Sequence, residues 1–171
     1  MSVTIPTVET DRLILREQRL SDLDAFVAFF AGDRAQFVGG PCDRVDVWRM
    51  FCSGAGHWQL RGYGIWHVAD RETGAPMGFT GVLNHIDWPE PELAYTIFDR
   101  YEGKGIAFEA ASAARRAAAT HFGLTRLISL IAPENTRSQA LARRLGAAPE
   151  RDTEIRGHAC TIWRHPEEVP A

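Results

Sequence analysis

Apolar positions along the chain change their spacing several times, and each change marks an element. In RLILREQ (12–18) apolar and polar residues alternate, the pattern of a half-buried strand. The spacing then becomes helical over DLDAFVAFFAG, with Ser21 as the expected N-cap, Asp24 three residues on, and Gly32 as the stop. A second helical stretch, DRVDVWRMF (43–51), starts on Asp43 as its cap, and glycines at 54 and 56 leave its far end open. Two strand patterns follow, YGIWHVADR (63–71) and PMGFTGVLNHI (76–86). The turn residues ETGAP between them predict an antiparallel hairpin.

PELAYTIF (91–98) is another strand, and a helix from about Lys104 to Phe122 follows, ended by Gly123. RLISLIA (126–132) is too short and too β-branched for a core helix and reads as a buried strand. NTRSQALARRLG (135–146) is a helix capped by Asn135 and stopped by Gly146, and two strands near 149–156 and 158–164 complete the pattern. The order β-α-α-β-β-β-α-β-α-β-β holds one central strand–helix–strand crossover. That crossover makes 91–98 and 126–132 parallel neighbours in an otherwise mostly antiparallel sheet. The fold class is α+β, and 171 residues fit one domain spanning 1–171.

Composition removes function classes more than it adds them. A formal net charge of -3 gives no basic footprint for nucleic acid and no polybasic membrane patch. No apolar run approaches the ~20 residues a spanning helix needs, and MSVTIPTVETDR lacks the shape of a signal peptide. Cys42, Cys52 and Cys160 are scattered without metal-ligand spacing, as expected of reduced thiols. The expectation is a cytoplasmic protein, monomeric or homodimeric, with no metal.

The chemistry concentrates in RYEGKGIAFEA (100–110). A strand, a Gly-x-Gly turn and a helix start make a generic anion site, since first-turn N–H groups lack internal partners and the helix dipole adds positive potential. Two nucleotide motifs fail here. Gly103-Lys104-Gly105 does not fit the P-loop spacing, and Phe108 stands where a dinucleotide fingerprint has its third glycine. A nucleotide binder of another kind remains as a reading of the anion site alone.

Arg100-Tyr101-Glu102-Gly103-Lys104-Gly105 resembles the acyl-CoA loop, [QR]-x-x-G-x-[GA], of the GNAT superfamily of N-acetyltransferases. The closer resemblance is to the RimJ/RimL-type branch. Arg12-Leu13-Ile14-Leu15-Arg16 is similar to its opening "ER-L-LR", with Asp11 for Glu. Glu92-Leu93-Ala94-Tyr95-Thr96-Ile97 echoes its "E-x-G-Y-x-[IVL]" strand. Ile106-Ala107-Phe108-Glu109-Ala110 continues the loop as in the branch, and Asn135, Ser138 and Leu145-Gly146-Ala147 follow its "N-x-x-S…LGF", with Ala147 for Phe.

The resemblance implies acetyl-CoA as cosubstrate, with its pantetheine arm between splayed strands 91–98 and 126–132. It implies backbone contacts at Ile97 and Phe98 and a pyrophosphate on N–H groups of residues 102–107, that is Glu102, Gly103, Lys104, Gly105, Ile106 and Ala107. Asn135 is placed on the pantetheine side, and Arg137 or Arg100 at the nucleotide phosphate. The acceptor is an amine, either a protein N-terminus such as that of a ribosomal protein or a small molecule, attacking directly in a ternary complex.

The same pattern makes Glu92 the expected base, with His85 a second candidate because its ring titrates in the useful range. Many GNAT enzymes carry a tyrosine acid four residues before the helix-ending glycine. Here that position is Ala142, which leaves Ser138 as the nearest hydroxyl on that helix. The missing tyrosine keeps a second class of function in view, a catalytically idle acyl-CoA-binding sensor. Among the aromatics Phe37, Trp48, Trp58, Tyr63, Trp66 and Trp88, most are expected in the core and one or two along an acceptor groove.

Overall fold

The structure, a computed structural model, describes residues 3–167. Its sheet has eight strands: β1 (Val8–Glu9), β2 (Leu13–Arg16), β3 (Ile65–Asp70), β4 (Pro76–Leu83), β5 (Glu92–Ile97), β6 (Ile128–Ile131), β7 (Ala148–Ile155) and β8 (His158–Arg164). They lie in the order β1-β2-β3-β4-β5-β6-β8-β7, antiparallel throughout except for β5 beside β6. The four α-helices are α1 (Leu23–Phe30), α2 (Arg44–Arg61), α3 (Ile106–Phe122) and α4 (Thr136–Arg144). The mixed α+β class, the hairpin β3–β4 and the parallel pair β5/β6 are as the sequence predicts.

Two local expectations need correction, the Ser21 cap and the start of α3, and two further features join them, a first strand and the far end of α2. β1 was not foreseen, being only two residues long. Ser21 does not cap α1: it sits inside a 3-10 turn, Leu20–Asp22, and Asp22 takes the N-cap position without a side-chain capping bond. The Asp22 carboxylate is committed elsewhere. It accepts bidentately from Arg16 at 2.8 and 2.9 Å and from His67 Nδ1–H at 2.7 Å, all three side chains being buried. Helix α2 runs on through both glycines to Gly62, and at Gly54 the Gln18 side chain fills the space a Cβ would take. Helix α3 begins at Ile106 and not at Lys104, because Gly105 has φ +75°, a left-handed conformation outside the helix.

Two apolar clusters set the frame. In the larger, Leu13, Leu15, Trp66, Val68, Leu93 and Ile97 of the sheet meet Ala110, Ala111, Ala113, Ala114, Ala117 and Ala118 of α3. Alanine has the highest helix propensity, and its small side chain lets the helix backbone lie close to the strands. In the second, Phe26, Phe29 and Phe30 of α1 join Val47 and Phe51 of α2 around Phe98. Side chains alternate along β5, so Leu93, Tyr95 and Ile97 face α3 while Glu92, Ala94 and Thr96 face the other side.

Candidate active site

Strands β5 and β6 pair at a single position, Glu92 with Ile128. Ile128 N–H donates to the Pro91 carbonyl at 3.0 Å, after which the strands diverge. The next N–H on the same edge of β6, that of Leu130, is taken by the Glu92 carboxylate at 3.2 Å instead of by a strand carbonyl. The opening between the strands continues into a cleft of about 1470 Å³. Glu92 stands on its wall with Tyr95, Thr96 and Ile97 of β5, Ser129 of β6 and Ser138 of α4, and the glycine turn reaches it through Gly103 and Gly105.

Gly103 and Gly105 have φ values of +72° and +75°. A Cβ on Gly103 would meet no atom within 4 Å, so the space in front of the turn belongs to no other part of the described chain. The turn is held from behind. Glu109 accepts from Thr10 Oγ at 2.6 Å, from Arg12 N–H at 3.0 Å and from Arg12 Nε at 2.7 Å, and Arg12 Nη1 donates to the Lys104 carbonyl at 2.9 Å. The Arg12 bond anchors the Lys104 carbonyl, and the N–H groups of the first turn of α3, as in any α-helix, have no intrahelical acceptors. Those N–H groups and the bare glycine surface fit a phosphate-bearing ligand.

Several expected cofactor residues are placed otherwise. Phe98 is core: its ring stacks on Phe29, its N–H donates to Met77 and its carbonyl accepts from Tyr101. By the alternation of an antiparallel ladder, Ile97 therefore turns its backbone groups to the open side, where β6 has left. Glu102 has its N–H on the Asp99 carbonyl, and its carboxylate is bound by Arg34 and Arg137. Its N–H, the donor a pyrophosphate would need, is therefore spent within the protein. Arg100 lies over the Tyr101 ring, 4.6 Å from its centroid, and the Lys104 ammonium donates to the Arg100 carbonyl; neither side chain lines the cleft. Gly103, Gly105, Ile106, Ala107, Asn135 and Arg137 do line it, and Asn135 also caps α4 through Ser138 N–H.

Glu92 is buried, and burial pushes its carboxyl pKa up against hydrogen bonds from Trp88 Nε1 at 2.6 Å and from Leu130 N–H. Trp88 belongs to a loop pinned over this end of the cleft. Asp87 beside it pairs bidentately with Arg156 at 2.6 and 3.0 Å, and the same guanidinium lies 4.7 Å from the centroid of the Trp88 ring. His85, from the same loop, lies between His57 and Trp88 with ring centroids at 5.7 and 4.7 Å. Burial, with the Arg156 charge, lowers its pKa. His57 donates Nδ1–H to the Tyr63 carbonyl and accepts from Asn84 N–H at Nε2, so both its nitrogens are spent within the protein.

The site also contains groups that sequence reasoning missed. Arg144 lines the cleft two turns along α4 from Arg137, with its guanidinium over Phe108 at 4.0 Å. The i, i+7 spacing of 137 and 144 was the available signal. Tyr95 brings its hydroxyl across the splay to Ser138 Oγ at 3.3 Å, a meeting of residues 43 apart that no local pattern announces. Ala142, by contrast, is fully buried beside Ile131, Ala147 and Trp163. Phe37 and Trp88 line the cleft, whereas Trp58 and Trp66 are core and Tyr63 packs against it. Trp48 lies outward on α2.

A mostly antiparallel sheet opened at one parallel pair, with a glycine turn and helix start at the opening, defines the GNAT type of acetyltransferase fold. A family model for the acetyltransferase (GNAT) domain matches residues 12–148, and the chain belongs to that family. It is 33% identical to an acetyltransferase from Agrobacterium tumefaciens str. C58, with 96% of each chain covered and a TM-score of 0.87. Two more distant structures share the fold alone. One is the ribosomal-protein-S5-alanine acetyltransferase of Vibrio fischeri, at 16% identity, 96% and 98% coverage and a TM-score of 0.75. The other is RimL, a ribosomal L7/L12 α-N-protein acetyltransferase, in complex with coenzyme A, at 16% identity, 94% and 98% coverage and a TM-score of 0.77.

Proposed function

We propose that this acetyltransferase moves an acetyl group from acetyl-CoA to an amine, and that a polypeptide α-amine is the acceptor class. The observation that carries the reading is the divergence of β5 and β6 after one paired position, with the glycine turn at the cleft and the Glu92 carboxylate inside the opening. The bare turn and the first N–H groups of α3 are suited to hold the pyrophosphate, and the open edge at Ile97 to pair with pantetheine amides as an added strand does. Arg137 and Arg144 supply positive charge along the cleft.

The chain's own part in the transfer is positioning and proton removal. Holding amine and thioester together replaces an entropic barrier of ~7–11 kcal/mol in well-oriented cases. Glu92 takes the proton the amine must lose, and burial makes its carboxylate a stronger base than an exposed one. An α-amine, with a pKa of ~8, yields that proton more readily than a lysine at ~10.4. The names of the RimL and Vibrio fischeri proteins, which specify ribosomal-protein acetylation, support trying peptide acceptors first.

Two measurements test the reading. Thermal melting with acetyl-CoA, CoA, ATP and NAD should show a rise with the CoA species alone; ligand at 100 times its Kd stabilises by ~2.7 kcal/mol, a shift of roughly 5–10 °C at this size. Acetyl-CoA with a panel of N-terminal peptides and small amines should release CoA thiol only when an acceptor is present. Binding without acceptor-dependent release would instead mark an idle acyl-CoA sensor.

A further inference from the structure

Helix α4 carries no tyrosine at the cleft, yet a phenol stands there. Tyr95 rises from β5 on the face turned to α3, and its hydroxyl crosses the splay to Ser138, 3.3 Å from Oγ and 3.3 Å from the carbonyl. The phenol accepts from Ser138 Oγ and donates to the Ser138 carbonyl, and the donated contact is long for a hydrogen bond between oxygens, so the phenol proton is available to a better acceptor. The ring is fixed by the larger apolar cluster, so the hydroxyl has little freedom except rotation of its proton. Ser129 of β6 is hydrogen-bonded to the Leu93 carbonyl at 2.7 Å and to His165 Nε2 at 2.9 Å, which fixes it on the other side of the same opening. Tyr95, Ser129 and Ser138 all line the opening between the parallel strands.

We propose that the Tyr95 hydroxyl is the hydrogen-bond donor for the sulfur that leaves during acetyl transfer, with Ser138 orienting it. The proposal rests on the acetyltransferase reading above. In the step concerned, the amine nitrogen bonds to the thioester carbonyl carbon, the carbon–sulfur bond breaks, and its electron pair leaves on sulfur. Glu92 takes the amine proton. Tyr95 donates a hydrogen bond to the developing thiolate and keeps its own proton, since burial raises the phenol above its ordinary range while a thiol ionises near ~8.5. The thiolate collects its proton from water as it departs. A strand-borne phenol thus occupies the place that a helix-borne one would serve, and it explains why Ala142 can be buried without loss.

The test is Tyr95→Phe, which keeps the ring in the core, with Ser138→Ala beside it. Expected for Tyr95→Phe is a fall in kcat of about 10–10²-fold, the worth of one hydrogen bond to a charged group. CoA affinity and melting temperature should stay near wild type. A second readout needs no turnover: the thiol pKa of bound CoA, followed by thiolate absorbance, should rise by about one unit in Tyr95→Phe. Ser138→Ala should cost less than Tyr95→Phe in both. If wild type binds CoA and turns over but Tyr95→Phe matches it in kcat and thiol pKa, or loses CoA affinity in parallel with rate, the role of Tyr95 is refuted and the acetyltransferase reading stands. If wild type neither melts higher with CoA nor acetylates an amine, both fail together.

Discussion

Replacing Glu92 by glutamine separates a base from a brace. As a general base in proton transfer, a positioned carboxylate contributes typically ~10²–10⁴-fold, and Glu92→Gln should lower kcat by about that much. The variant also has a structural cost that can be worked out beforehand. The two carboxylate oxygens accept from Trp88 Nε1 and from Leu130 N–H, and both partners are donors. An amide has one acceptor oxygen, so one buried N–H loses its partner, at about 1–3 kcal/mol. For a chain of this size that is a drop of roughly 2–10 °C in Tm. Initial rates of CoA release from pH 5 to 9 and calorimetric CoA titration are the assays. In wild type, activity should fall as pH drops through the Glu92 pKa, with the midpoint above the usual carboxylate value because burial raises it. In Glu92→Gln that acidic limb should vanish while CoA affinity holds. A kcat within threefold of wild type, or a rate loss matched by lost CoA affinity, would refute the base and leave Glu92 as a clasp between β5 and β6.

Gly103→Ala should cost ~1–2 kcal/mol for a side chain forced into left-handed backbone and should weaken CoA binding at least tenfold. Gly123→Ala is its control, because φ there is +67° with nothing within 4 Å of a Cβ, yet it ends α3 far from the turn. Equal melting losses with CoA affinity reduced only at Gly103 is the expected pattern, and equal affinities would sink the phosphate role of the turn. Asp22→Ala leaves Arg16 buried without its counter-charge and should destabilise by about 3–5 kcal/mol in urea unfolding; a loss under 1 kcal/mol would show that water reaches the site. His165 is lowered to about 4 by burial and by the Arg115 and Arg164 charges. Its folded pKa lies below the unfolded ~6.5, so between those values the unfolded chain holds the extra proton. Stability from this group is complete above pH 6.5 and lost as pH falls toward 4, up to about 3 kcal/mol. His165→Gln should reduce the slope of unfolding free energy between pH 6 and 5 by about 1.4 kcal/mol per unit, and an unchanged slope would count against the assignment.

What was legible in the sequence is what local chemistry decides. Asn135 and Asp43 cap their helices because a short acceptor side chain reaches an N–H three residues on, a relation contained in four residues. The parallel pair β5/β6 followed from the length and helical spacing of the intervening segment. Ser21 failed for the complementary reason. Asp22 stands at the cap position instead, and its side chain is claimed for a buried ion pair by Arg16 and by His67, 45 residues away from it. Burial alone would raise the Asp22 carboxyl, and the hydrogen bonds from Arg16 and His67 outweigh it and hold it well below the usual range. Glu102 was misplaced for a local reason: the 3-10 turn Asp99–Tyr101 takes its N–H onto the Asp99 carbonyl three residues back, so that donor is not offered to the loop.

The two motifs that looked independent turn out to be one device. RLILREQ and GKGIAFEA stand about a hundred residues apart, and each alone is a modest signal. In the fold, Glu109 of the second binds Arg12 of the first, and Arg12 in turn holds the Lys104 carbonyl between the two glycines. Glycine at 103 and 105 permits the left-handed turn, but permissiveness does not select one conformation, because glycine also has the most freedom to lose. Selection comes from the arginine, which fixes where the carbonyl between the two glycines points. The proposed anion site of backbone groups therefore leans on an ion pair from the opposite end of the pattern, and reading the glycines without Arg12 gives the material of the turn without what holds its shape.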